Sequence, residues 1–361
     1  MMDEKEKLSS EDEYIETPIQ INPIISEAYE LLQKTADRTD GLSGLKSGFH
    51  GLDKMTSGWQ NGDLIVIGAR PSMGKTAFEL SMAINIAVNS KEPVGLFSLE
   101  MNNIQLVNRL IINVCEIPSD KIRNGQLAPY EWQQMDNKLK DLMDAPIYVD
   151  DTAWMRIDDL CDKARKLVKD YGVKIIFIDY LQRIYTEIKY VENRYFELNY
   201  FTRCLKSLAM ELNIPIVVSS QLNRNIENRE GIDGKRPQLA DLRDSGTICD
   251  DADVICFIHR PEYYKMYSDE KGNDLRGMAE IIIAKHRNGA TGDILLRFNG
   301  EFSKFQNPED GTIIPLPSES GVISSNLNKQ SQGLVTPNPE EYPNKVSNPF
   351  GNFSNDGPLP F

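Results

Sequence analysis

"LIVIGARPSMGKTAF", residues 64–78, is an apolar run that breaks into a glycine- and lysine-bearing loop. Leu64 to Ala69 are apolar or small and read as a buried strand. Residues 69–76 fit the P-loop pattern, with Ala69 where a glycine usually stands. A helical pattern opens at Lys75. Strand, loop and helix in that order let backbone N–H groups of the loop and helix start point at phosphate oxygens. On this reading Gly74 lets the backbone come close, Lys75 reaches the β- and γ-phosphates of ATP, and Thr76 ligates its Mg²⁺. The plainer alternative is a chance Gly-Lys-Thr at a helix start, against which the preceding strand weighs.

Three more apolar runs end in polar residues suited to the same chemistry. "KIIFIDY" ends in Asp179, the layout of a Walker B carboxylate that holds magnesium. "VGLFSLEM" ends in Glu100, a carboxylate at the mouth of a strand read as lying beside the P-loop strand, where it can polarise an attacking water. A solvated strand-end glutamate is the bland alternative. Arg109, nine residues on, is either a nucleotide contact or a surface arginine. "IVVSSQLNR" ends in Gln221, which can sense loss of the γ-phosphate or be a loop amide.

"IIIAKHRNGATG" (281–292) raises a different question. Strict alternation puts Ile281, Ile283, Lys285 and Arg287 on one face of a strand. Two cations pointing the same way at a strand end suit a phosphate, or simply solvent. Gly289 and Gly292 suit a tight turn beyond them.

The rest of the chain fits an α/β domain. Apolar runs at 64–69, 94–99, 175–179 and 214–220 alternate with helical patterns at 75–90, 102–115, 130–143, 157–170 and 194–212. That alternation predicts a mainly parallel sheet with helices on both faces. Runs at 253–258, 279–285 and 293–298 extend the sheet with some antiparallel pairing. Residues 1–20 are acidic and read as disordered. The stretch 21–47 reads as an amphipathic helix (23–37, with Ile25, Ala28, Leu31 and Leu32) and a Gly/Ser linker, 48–308 as the folded domain, and 309–361 as a disordered tail. The tail ends "DGPLPF", a low-complexity end that resembles the tip of bacterial single-strand-binding proteins. Net charge is −14, of which residues 1–17 carry −5 and 316–361 carry −2. This argues against a broadly basic nucleic-acid surface. Five scattered cysteines and the lack of an apolar leader suit a reducing cytoplasm, and three histidines without ligand spacing suit no zinc.

Taken together, "SGFHGLDKMTSGWQNGDLIVIGARPSMGKTAF", "SLEM", "IIFIDYLQ", "SSQLNR", "LADLRDSGTICDDADVICFIHRPEYY" and "IIIAKHRNGATG" resemble the RecA-like motor domain of DnaB-type replicative DNA helicases, from about 22 to 306. The resemblance implies a homo-hexameric ring around single-stranded DNA that moves 5′ to 3′ and hydrolyses ATP between subunits. It implies phosphate contacts from Ser72, Met73, Gly74, Lys75, Thr76 and Ala77, catalysis by Glu100, magnesium and water organised by Asp179, and coupling through Gln221. It places Arg243, Asp244 and Gly246 on the DNA backbone, largely through main-chain groups. Lys285, His286 and Arg287 would face the neighbour's γ-phosphate, with Arg287 as an arginine finger and His286 where the family usually has Gln. The 23–37 helix would dock on the next subunit, the alternative being its own domain. Few residues precede that helix, so the helical N-terminal collar usual in the family is expected to be missing, which bears on primase and loader contacts. A non-unwinding, DNA-stimulated ATPase that forms filaments or regulates is the alternative function, and an inactive ring subunit a third.

Overall fold

The computed structural model describes residues 20–38, 41–187, 194–242, 245–310 and 322–323. The expectations for 1–19, for Arg243 and Asp244, and for the tail beyond 323 lie outside them.

Helices α1 (Ile21–Ala36) and α2 (His50–Thr56) precede strand β1 (Leu64–Ala69). Then follow α3 (Lys75–Ile84), which a π-helical turn extends through Asn89, β2 (Val94–Ser98), α4 (Asn103–Cys115), α5 (Ser119–Asn124) and α6 (Pro129–Met143). The chain continues through β3 (Ile147–Asp150), β4 (Met155–Arg156), α7 (Ile157–Tyr171), β5 (Ile175–Asp179), β6 (Ile184–Tyr185), α8 (Arg194–Leu212) and β7 (Ile216–Gln221). It ends with α9 (Gly231–Gly234), α10 (Ser245–Asp251), β8 (Val254–His259), β9 (Met278–His286), β10 (Gly292–Asn299), β11 (Lys304–Gln306) and β12 (Val322–Ile323).

The main sheet runs β11-β10-β9-β8-β1-β7-β5-β2-β3, with β12 also on β10; β4 and β6 form a separate pair. Strands from β8 through β3 are parallel, and β9, β10 and β11 add antiparallel pairs. Alternation along β1 sorts its side chains: Ile65, Ile67 and Ala69 join one core layer, Leu64 and Val66 the other. Helices α2, α3 and α4 close the first layer, and α7, α8 and α10 the second. The carboxyl ends of β1, β7, β5 and β2 therefore open on one edge of the sheet. The start of β1 and the end of β9 lie at the opposite edge, because Asp253 N donates to Leu64 O and Arg287 N donates to Asp253 O.

Two features qualify the outer parts. The apolar side chains Ile21, Ile24, Ile25, Tyr29 and Leu32 of α1 are all at least half exposed, so its own domain does not cover them. All five cysteines are free thiols, and Cys115, Cys161 and Cys256 are buried. Among the described residues no helix is long and apolar enough to cross a membrane, and no three His, Cys, Asp or Glu side chains gather as a metal site.

His259 closes β8 in full burial, stacked on Tyr264, and neither ring nitrogen has a partner among the described residues. Burial, and then the charge of Arg236, pushes its pKa down to about 3. Below its ordinary value of about 6.5 the unfolded chain takes up a proton that the folded chain refuses. Stability is thus lost as pH falls from 6.5 toward 3, by about 1.4 kcal/mol per pH unit, and is untouched above 6.5. His259→Leu should therefore shrink the drop in melting temperature between pH 7 and pH 5, by about 2–4 °C per kcal/mol. Equal pH slopes in the two proteins would rule this out.

Candidate active site

The P-loop leaves the carboxyl end of β1 and turns through two left-handed residues, Ser72 (φ 64°) and Gly74 (φ 101°). A side chain at Gly74 would be strained and would press its Cβ to 3.1 Å from the Phe305 ring. No side chain caps α3, whose first-turn N–H groups are left for another acceptor. Arg260 NH1 donates to Ser72 O (3.3 Å) while its guanidinium lies 3.9 Å from the Phe298 ring centre, holding the loop from outside.

Lys75, Thr76 and Asp179 converge at this edge. Thr76 Oγ1 donates to Asp179 Oδ2 (2.6 Å), and Ser219 Oγ on the intervening β7 donates to Asp179 Oδ1 (2.8 Å). A hydroxyl and a carboxylate oxygen side by side are the donors Mg²⁺ takes when phosphates and water complete its shell. Lys75 Nζ folds back to 3.5 Å from Ala69 O. Burial lowers its pKa, and Asp179, Glu79 and Glu100 counter that. The lysine thus lies among acidic side chains that offset the cost of its burial.

Nothing in the sequence pattern singles out Glu79. It stands three and four residues beyond Thr76 and Lys75, on the same face of α3, and is 2% exposed with Oε1 unpartnered among the described residues. Burial, then Asp179, raises its pKa well above the usual carboxylate range.

Glu100 stands exposed just past β2. The expectation that its strand lies beside the P-loop strand is corrected: β1 neighbours β7 and β8, and β2 neighbours β5. What brings Glu100 to the site is the Asp179 strand, since Leu99 N donates to Asp179 O (2.9 Å). Gln221 pairs in register with Ala69, at the root of the P-loop. Buried Arg70, which the sequence motifs also pass over, joins the loop to the segment after Gln221: it donates to Leu222 O (2.8 Å) and to Glu227 Oε1 (2.8 and 2.5 Å). Arg109 is half-buried on α4 and bonds no P-loop residue among those described.

The cationic strand end differs from the expectation in detail. The register of β8 and β9 shifts between Ile255 and Cys256. Ile283 pairs with Cys256 and Ile281 with Ile258, whereas Lys285 pairs with Ile255. Cross-strand partners share a face, so this bulge turns Lys285 away from Ile281 and Ile283 and toward the layer of α10. There Lys285 Nζ donates to the carbonyls of Cys249 and Ala252, and Arg287 donates to Asp250 O (2.9 Å) and Asp253 Oδ1 (2.8 Å). Both cations do point one way, at the end of α10. His286 Nδ1 lies 3.3 Å from Ala290 O. Gly289 is not left-handed; a Cβ there would sit 2.2 Å from the His286 ring, so its requirement is space. Gly246 is in the first turn of α10.

Residues 44–307 match the model of a known family, the DnaB-like helicase C-terminal domain. The chain is 41% identical over 289 residues to the replicative DNA helicase DnaB of Geobacillus stearothermophilus, and 39% identical over 289 residues to the replicative DNA helicase DnaC of Bacillus subtilis. In each case the match takes in 80% of this chain and 62% of the relative, so the chain spans less than two thirds of their length. Among solved structures, an isolated ATPase domain superposes with a TM-score of 0.73 at 33% identity, covering 81% of this chain and 99% of that one. A DnaB-like replicative helicase, described with its interactions with primase, superposes at 0.72 and 33% identity, covering 80% of this chain and 68% of that one. With an ATPase domain and a DnaB-like replicative helicase as its matches, the mainly parallel sheet with helices on both faces is RecA-like. Since the family model spans the P-loop, the Asp179 strand and the 281–286 strand alike, the chain belongs to the DnaB-like helicase C-terminal domain family.

Proposed function

We propose that the protein is an ATP-dependent DNA helicase of the cytoplasm, moving 5′ to 3′ on single-stranded DNA as a ring of copies, in the hexameric form of the family. One observation carries this reading. The P-loop, Thr76 and Asp179 gather at the carboxyl edge of the sheet, while Lys285 and Arg287 sit at the opposite edge. Six residues of β1, about 20 Å of strand, separate the two. An arginine side chain does not span that distance, so Arg287 serves a phosphate only on another copy. The exposed apolar residues of α1 supply a surface for such a neighbour.

In this reading Ser72, Met73, Gly74 and Ala77 line the phosphates through their backbone, and Lys75 pairs with the β- and γ-oxygens. Mg²⁺ held at Thr76 and Asp179 would neutralise charge growing on the phosphate bridge. Glu100 accepts a hydrogen bond from the attacking water and aims it. Arg287 of a second copy, with its Lys285 and His286 alongside, meets the γ-phosphate oxygens. Gln221 reports the phosphate to the segment that leads to Arg243, Asp244 and Gly246 and the DNA backbone, and Arg109 reaches toward the nucleotide from α4. One of the matching structures is described with its interactions with primase. Primase, and with it a helicase loader, are the replication partners to seek first.

A forked duplex tests the function. ATP-driven strand separation that requires a 5′ single-stranded arm is the expected result. DNA-stimulated hydrolysis without separation would replace it with the filament or regulator reading, and no hydrolysis with an inactive ring subunit. A mixing experiment tests the shared site. Lys75→Ala and Arg287→Ala should each lower hydrolysis by about 10³-fold or more. A mixture of the two should regain part of it, because some interfaces then pair an intact Lys75 with an intact Arg287. Verified mixed rings with no regain would exclude a finger acting between chains.

A further inference from the structure

At the amino edge of the sheet Asp253 is buried, 2% exposed, and every part of its carboxylate is used. Oδ2 accepts from Leu64 N (2.9 Å), the first residue of β1, and from Lys206 Nζ (2.6 Å). Oδ1 accepts from Arg287 NH1 (2.8 Å). Arg287 donates again to Asp250 O (2.9 Å) through NH2 and to Asp253 O (2.8 Å) through its backbone N–H. The pair is unequal: the carboxylate is almost wholly enclosed, whereas 46% of the Arg287 side chain is open. Part of the guanidinium is therefore fixed and part faces outward.

The neighbours add to this. Asp63 stands close by; burial and then the charge of Asp253 push its pKa up to about 6, with Lys206 and Arg287 pulling it back. Lys206 Nζ also donates to Gly62 O (2.8 Å), so Asp253 has a second cation of its own. Loss of Arg287 would leave that carboxylate paired. Loss of Asp253 would leave Arg287 with carbonyls alone.

We infer that Asp253 is the positioning residue of Arg287: it fixes the guanidinium at the edge that meets a second chain and ties it, through Leu64 N, to the foot of the strand that carries this chain's own P-loop. The inference rests on the reading that Arg287 acts between chains. An arginine on a turn has many rotamers, and each productive encounter would have to select one. Two bonds to Asp253 and Asp250 make that selection in advance, which is the gain from orienting a catalytic group.

The test is to find which chain's half-site Asp253 serves. Asp253→Asn keeps the shape and an acceptor for Leu64 N but removes the charge. DNA-stimulated hydrolysis by the full chain should fall on the order of 10- to 100-fold, with binding of a fluorescent ATP analogue unchanged. Mixed with Lys75→Ala, it should regain hydrolysis, because the Lys75→Ala chain supplies a correctly held Arg287. Mixed with Arg287→Ala, it should regain none. Regain with Arg287→Ala would overturn the inference, since Asp253 would then serve its own P-loop through β1. Unchanged hydrolysis by the single variant would overturn it too, as would regain with neither, which would assign Asp253 to the fold. The Lys75→Ala and Arg287→Ala mixture, run alongside, separates this failure from failure of the shared-site reading.

Discussion

β1 is hydrogen-bonded along both edges, to β7 and to β8, and its apolar side chains are fully buried. A strand held this way has a fixed length and a fixed direction. Its carboxyl end carries the P-loop, and its amino end is bonded by Asp253, which also holds Arg287. The roughly 20 Å between them cannot be closed by rotating side chains. The sheet thus holds two sets of charged groups at opposite edges of one molecule.

Burial decides how those groups behave. Asp179 is accepted into the interior because hydroxyls reach both of its oxygens, from Thr76 and from Ser219. Glu79, a turn away on α3, is enclosed without equal compensation, and its pKa rises. Lys75 is the cation these acids surround, and burial lowers its pKa.

Much of this is legible along the chain. Helices are readable by their period, between three and four along α7, and the central strands as unbroken apolar runs, as along β1. The P-loop is readable because its residues are consecutive, and Asp179 because it follows four apolar residues. Alternation fails at 281–287 because one bulge shifts the register, and a bulge leaves no mark in a run of isoleucines. Glu100 is visible in the sequence but its neighbour is not, since strand order depends on crossovers that the sequence does not number. Arg70, Glu79 and Asp253 escape notice because their partners lie far away in sequence: Glu227, Asp179, and both Leu64 and Arg287.

Local pattern and motif order along the chain suffice for the class of sheet, the P-loop and the family. Assembly of the sheet is what brings Asp179 to Thr76 across an intervening strand, sets Lys285 and Arg287 at the end of α10, and puts them at the far edge from their own P-loop. The reason is physical. Periodicity records which side of an element is buried, whereas the pairing of buried charges depends on distances that form only when the sheet is assembled.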